Sequence, residues 1–148
     1  METDLLVEMI GKKLAILEQL RDLSRRQSDL IADGDIQRLL SVLSAKQTLL
    51  AELQKVQQRL EPFRKQDPES RVWRSPQDRQ RCRTLVERCE ALLGETMLIE
   101  KQSESEMAQR RDAALSRLQG SHSSAEATRA YIRSPVPLRG SLDVSSDG

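Results

Sequence analysis

Apolar residues recur in alternating steps of three and four positions between Ile36 and Leu60. The positions of this stripe are Ile36, Leu39, Leu43, Lys46, Leu50, Leu53, Gln57 and Leu60, and Leu40, Leu49 and Val56 widen it. This spacing is typical of one face of an amphipathic α-helix. Because the stripe is wider than a single seam, we expect this helix to contact two neighbouring helices.

A similar stripe precedes it, and the tripeptide at residues 33–35 separates the two. Its apolar members are Leu6, Met9, Ile10, Leu17, Leu20, Leu23, Leu30 and Ile31. Gly34 can adopt the left-handed conformation that ends one helix, and Asp35 can accept hydrogen bonds from the free amides that begin the next. The sequence therefore predicts a tight hairpin of two helices, over about residues 4–32 and 36–61.

The third helix has the clearest start signal. In the segment SPQD, Ser75 is the expected N-cap, Pro76 takes the first helical position and Asp78 stands where a capping-box acid would be. The apolar pattern then continues to Leu118, which predicts a helix over residues 76–119. Its length would be roughly 65 Å, against roughly 40 to 45 Å for each of the first two helices. We expect its late part to extend past the hairpin and to leave an apolar face without an internal partner.

Two segments lack the helical period. Residues 61–75 contain Pro62 and Pro68 and are predicted to connect the second and third helices. Residues 120–148 are rich in Gly, Ser and Pro and are predicted to form a flexible tail. The predicted fold is all-α: an antiparallel three-helix bundle or coiled coil over residues 1–119, with a long third helix and a disordered C-terminal tail. Within the tail, the apolar residues around Tyr131 are either chance composition or a motif that orders on a partner.

Two lysines and two aromatic residues allow more than one interpretation. Lys13 and Lys46 fall inside the seams, where a polar residue fixes helix register and its stem can lie along apolar surface. Phe63 and Trp73 lie in the predicted connection. They either close the end of the bundle, or the tryptophan is exposed as a contact for a partner.

The two cysteines, Cys82 and Cys89, lie seven residues apart on the predicted third helix. Seven residues of helix span roughly 10 Å, which exceeds the roughly 4 to 7 Å between the Cα atoms of a disulfide. We therefore expect two free thiols that fill core positions.

Charge and composition argue against several classes of function. The chain has 24 basic and 23 acidic residues, so no overall field is available to hold nucleic acid. No stretch approaches the roughly 20 apolar residues of a membrane span, and the segment METDLLVEMIGKK is acidic where a secretory signal is positive, so we expect a cytoplasmic protein. The single histidine, His122, has no second metal ligand near it. We expect no metal, no cofactor, no small-molecule substrate and no enzymatic activity.

The hairpin IADGDIQRLLSVLSAKQTLLAEL, with a leucine-rich helix before it and a long capped helix after it, resembles the FlgN-type flagellar export chaperones over about residues 5–118. The resemblance implies a cytoplasmic type III secretion chaperone that binds the C-terminal helical segment of the hook-filament junction proteins FlgK and FlgL. Such a chaperone keeps these proteins unassembled and delivers them to the membrane export gate. The resemblance places client binding on the late third helix, at Met107, Ala114, Leu115 and Leu118, and docking on the export gate component at Tyr131.

The same stripes suit a helical coiled-coil adaptor of another secretion or scaffold system, or a structural protein that self-associates. Periodicity alone does not distinguish these classes, and it leaves the choice between monomer and dimer open. A monomer mass that is independent of concentration would weigh against self-association.

Overall fold

The computed structural model describes residues 1–133, which form three α-helices and one short 3-10 helix. The α-helices are α1 (Glu2–Asp33), α2 (Ile36–Arg64) and α3 (Pro76–Arg133), and the 3-10 helix, Pro68–Ser70, lies in the connection between α2 and α3. Residues 1–133 contain no β-strand. The three helices pack together, so the all-helical fold class is confirmed. The described residues divide into two units, Met1–Glu106 and residues 107–133.

The turn between α1 and α2 has the chemistry predicted for it. Gly34 adopts the left-handed conformation, with φ 72° and ψ 20°, and its N–H donates to the carbonyl of Ile31 at 3.2 Å. The Asp35 side chain accepts a hydrogen bond from the backbone N–H of Arg38 at 3.2 Å. A glycine ends α1 without steric cost, and an aspartate satisfies a free amide at the start of α2.

Within Met1–Glu106, α1 is the most deeply buried helix. Its core residues include Leu6, Met9, Ile10, Leu14, Ile16, Leu17 and Leu20, which cover more than one face. Two hydrogen bonds join α1 to α3: Arg88 donates to Glu18 at 3.2 Å, and Ser24 donates to Glu100 at 2.6 Å. The helix therefore packs against both of its neighbours.

The buried seam of α2 shares Leu39, Lys46, Leu53 and Leu60 with the predicted seam and differs from it at the positions between them. The seam runs through Leu39, Val42, Lys46, Leu49, Leu53, Val56, Leu60 and Phe63, most of which are buried. By contrast, Ile36, Leu43 and Leu50 are exposed by 60%, 38% and 49%. The observed seam has the same alternating steps of three and four residues as the predicted seam. It contains the apolar residues Val56 and Phe63, whereas the predicted seam contains the polar residue Gln57. The second apolar stripe of α2 remains exposed.

Two predicted helix ends are wrong. The second helix does not stop at residue 61 but includes Pro62 and continues to Arg64, because the burial of Phe63 in the core favours one further turn. The third helix does not stop at residue 119 but runs through Gly120 to Arg133. Glycine and serine lower helix propensity without forbidding the helix, and residues 125–133 contain good helix formers and no proline. Residues 120–133 are thus helical rather than a flexible tail, and residues 134–148 lie outside the described residues.

The connection closes one end of the core. Phe63 is buried, and Trp73 is half-buried and packs against the same cluster of apolar residues. Thr3 at the start of α1 donates a hydrogen bond to the carbonyl of Val72 at 2.9 Å. This arrangement agrees with the packing role that was one of the two interpretations of the aromatic pair.

A polar cluster joins all three helices at the level of Lys46. The Lys46 ammonium donates to Gln27 Oε1 at 2.6 Å and to Glu100 Oε1, and Ser24 donates to the same carboxylate. The Lys46 side chain is only 13% exposed, and Ser24 is fully buried. This largely buried cation is retained because Gln27 and Glu100 both accept hydrogen bonds from it. Lys46 therefore lies in the seam as predicted, and it links α2 to both other helices.

This cluster predicts a pH-dependent contribution to stability. Burial acts to raise the pKa of Glu100, but the hydrogen bonds from Lys46 and Ser24 and the Lys46 charge outweigh it, so the pKa lies below the ordinary 4.5. A lowered pKa stabilises the fold above pH 4.5, and this stabilisation is lost as the pH falls through the folded-state pKa. We expect Glu100→Gln to lower the free energy of unfolding at neutral pH by about 0.5 to 1.5 kcal/mol, reduced by the partial exposure of the carboxylate.

Urea unfolding at neutral pH and well below pH 4.5 measures this effect. The difference in the free energy of unfolding between wild type and Glu100→Gln should be smaller in acid than at neutral pH. Glu104→Gln is the matched control, because Glu104 is exposed. An equal loss of stability at both pH values would contradict the assigned ionic contribution.

The cysteines predict a second measurable property. Cys82 and Cys89 are free and buried, and burial raises the pKa of both thiols. Because the thiolate is the reactive form, we expect iodoacetamide to alkylate both at least about tenfold more slowly in the folded protein than in urea. Mass spectrometry of timed samples measures the two rates. Equal rates in the two conditions would place the thiols at the surface.

Candidate functional site

The late part of α3 differs from the rest of the described chain in its exposure. No residue from Met107 to Ile132 is buried, whereas all of the core residues lie in Met1–Glu106. The segment nevertheless carries apolar side chains: Met107, Leu115 and Leu118 are exposed by 46%, 50% and 65%. Exposed apolar residues that recur on one helix indicate an interaction surface.

Three of the four residues predicted to bind a client share one side of the helix. Met107, Ala114 and Leu118 are separated by seven and four positions, which brings them to nearly the same angle around the axis. Leu115 lies next to this line, and Ala114 is exposed like the others. We call these four residues the late α3 face.

Tyr131 does not belong to the late α3 face. It is helical and 80% exposed, but it lies about a third of a turn from the line through Met107 and Leu118. Its neighbour Ile132, which is 70% exposed, does fall on that line, as does Ala125. Sequence reasoning missed both residues because it placed them in the tail. The available signal was the spacing of Ile132, two heptads after Leu118.

Charged side chains border the late α3 face. Arg110, Arg111 and Arg117 are all exposed on this segment, and Arg111 lies 3.5 Å from Asp112. Further along, His122 Nε2 lies 3.0 Å from Glu126 Oε1, one helical turn away. The described residues contain no group of three or more His, Cys, Asp or Glu side chains that could hold a metal ion. The chemistry available on this surface is apolar contact with a basic border, which suits an amphipathic helix with acidic flanks.

Comparison of the chain with protein-family models, curated proteins and solved structures finds no significant match. None of the helices in residues 1–133 is long and apolar enough to cross a lipid bilayer.

Proposed function

We propose that this protein is a cytoplasmic flagellar type III secretion chaperone for hook-filament junction proteins of the FlgK and FlgL type. The observation that carries the proposal is the late α3 face, a helical apolar surface on which no side chain is buried. The resemblance of the hairpin at residues 31–53 to FlgN-type chaperones supports the choice of client.

In the proposed mechanism, a helical segment at the C-terminus of the client lays its apolar side on the late α3 face. Full burial of a leucine contributes roughly 1.5 to 3 kcal/mol, so two or three such contacts contribute roughly 3 to 9 kcal/mol before ordering costs. Micromolar affinity requires about 8 kcal/mol after those costs, so further contacts around the leucines must contribute as well. The arginines at the border steer acidic flanks of the client and set its orientation. While the chaperone occupies the segment, the client cannot use it to assemble.

The proposal includes an up-down-up arrangement of the three helices. Two sets of contacts support it. Gln66, just after the end of α2, bonds to Glu2 at the start of α1, which is expected if α1 and α2 run in opposite directions. Cys89 contacts Ile10 and Glu100 contacts Ser24, so residue numbers increase together on α1 and α3, which is expected if these two helices run in the same direction.

Export requires a second contact, which we propose is made by Tyr131 on a membrane export gate component. The tyrosine is 80% exposed and lies away from the late α3 face, so client and gate could be bound at the same time.

The chaperone function is tested by adding the protein to a purified junction protein under conditions in which the client assembles or aggregates. We expect an equimolar amount to suppress the rise in light scattering. Bovine serum albumin at the same concentration is the control for nonspecific protection. A scattering curve that matches the albumin control would refute the proposal.

The alternatives, a coiled-coil adaptor or a self-associating structural protein, predict different results. Sedimentation equilibrium over a wide concentration range should give the monomer mass if the late α3 face is reserved for a client. A mass that rises with concentration, together with no protection of the client, would favour self-association.

A further inference from the structure

Within Met1–Glu106, residues of all three helices and of the connection line a small cavity that is open to solvent on one side. Its volume is about 250 Å³, and its apolar lining includes Leu6, Ile10, Leu60, Phe63 and Val86. Pockets for small molecules usually have roughly 300 to 1,000 Å³. This cavity is below that range, but it has room for one or two aliphatic side chains.

The charged side chains that line this cavity are three cations and one carboxylate: Lys13, Arg64, Arg71 and Glu90. Lys13 and Arg71 are half-buried, whereas Arg64 and Glu90 are exposed. The positive charge therefore exceeds the negative charge at an apolar cavity. The excess is two positive charges, and a carboxylate from a ligand would halve it.

Arg71 supplies an independent sign of a missing acceptor. Its Nη2 donates to the carbonyl of Phe63 at 2.7 Å, but its Nε is buried and has no hydrogen-bond partner. Buried N–H donors in proteins are nearly always paired, so this guanidinium has hydrogen-bonding capacity that the described residues do not use. Arg64 already donates a hydrogen bond to Gln57 Oε1 at 3.1 Å and forms an ion pair with Glu61 at 3.7 Å. It would therefore contribute only its charge, at the rim of the cavity.

We propose that this cavity binds the free C-terminus of a partner polypeptide. The aliphatic side chains of its last residues enter the apolar part, and its terminal carboxylate accepts hydrogen bonds from Lys13 and Arg71. An arginine or lysine that binds a carboxylate forms a charge-assisted hydrogen bond, and capture of a C-terminal carboxylate is a recurrent mode of peptide recognition. The inference rests on the proposed function, because that function supplies a partner that binds through a C-terminal helical segment.

The test uses two synthetic peptides with the sequence of the last 20 residues of a hook-filament junction protein. One ends in a free carboxylate and the other in an amide, and calorimetric titration of the full chain measures both dissociation constants. We expect the amide to bind about tenfold more weakly, because it lacks the charge that the two cations recognise. Equal affinities would overturn the inference while leaving the proposed chaperone function in place.

A pair of lysine variants locates the effect. Lys13→Gln should weaken binding of the free acid and reduce the difference between acid and amide to about threefold or less. Lys12→Gln is the matched control, because Lys12 lines a different cavity between α1 and α2 and lies 3.6 Å from Glu8. It should leave both affinities unchanged. If the two variants behave alike, the carboxylate is not bound in this cavity.

A second peptide pair separates the inference from the identity of the client. It consists of an acetylated pentapeptide that ends in two leucines, made once with a free C-terminal carboxylate and once with a C-terminal amide. Binding is measured from the changes in the NMR chemical shifts of the ¹⁵N-labelled backbone amides of Val86 and Cys89. Shifts caused by the acid alone would support the cavity even if the junction-protein peptides fail to bind. If neither pair distinguishes acid from amide, the inference is wrong.

Discussion

Replacing both Leu115 and Leu118 with aspartate should weaken client binding by about a hundredfold. Each substitution removes an apolar side chain that the client would cover and introduces a charge that is costly to bury. Because both leucines are at least half exposed in the free protein, the core should not change. Circular dichroism should show nearly unaltered helix content, while calorimetry with a C-terminal client segment reports the loss of affinity.

The matched control places the same two charges on the opposite side of the same helix segment. Gln109 and Ser116 are exposed and lie about half a turn away from the line through Met107 and Leu118. Gln109→Asp with Ser116→Asp should therefore bind the client as wild type does. Equal losses from the two double variants would mean that charge, and not the late α3 face, determines binding.

The largest effect on stability is expected from Leu17→Ala. Leu17 is 1% exposed in the middle of α1, within the core that α1 shares with both other helices. Removing a fully buried leucine costs the transfer free energy of its methyl groups and leaves a cavity, which together amount to about 2 to 5 kcal/mol. Urea unfolding followed by circular dichroism at 222 nm would measure this loss.

Leu98→Ala is the comparison for this variant. Leu98 lies on α3 within Met1–Glu106 and is 58% exposed, so its truncation should cost less than about 1 kcal/mol. If Leu98→Ala were as destabilising as Leu17→Ala, α1 would not be the central element of the core.

Local chemistry made the helix starts and the hairpin turn predictable. As predicted, Gly34 ends α1 and Asp35 caps the start of α2. Ser75 caps α3, because its hydroxyl accepts a hydrogen bond of 3.2 Å from the backbone N–H of Asp78. These features depend on residues within a few positions of each other, so the sequence contains all the information needed.

The seam of α2 could not be decided in the same way. Two stripes, one through Leu49 and one through Leu50, have the same spacing, and the choice depends on what the other helices present. Phe63 decides it in part, since it extends the buried stripe beyond Pro62. The end of α3 differs from the prediction for another reason. The Gly, Ser and Pro content of residues 120–148 predicts a flexible tail, but a single glycine such as Gly120 costs an exposed helix only about 1 kcal/mol, and the helix continues through it.

The candidate site was partly accessible from the sequence. The exposure predicted for Met107, Leu115 and Leu118 is observed, because a stripe without an internal partner stays uncovered. The alignment of Ile132 with this stripe was missed together with the helix that creates it. The cavity at Arg71 was not predictable, because its walls come from segments far apart in the chain.

The central claim, that the late α3 face binds a helical client segment, is tested most directly by titrating the protein with the C-terminal segments of hook-filament junction proteins. The full chain should bind one segment per protein molecule with micromolar affinity, and a chain that ends at Glu106 should bind about a hundredfold more weakly. Absence of binding by the full chain at high micromolar concentration, or equal affinity of the shortened chain, would contradict the claim.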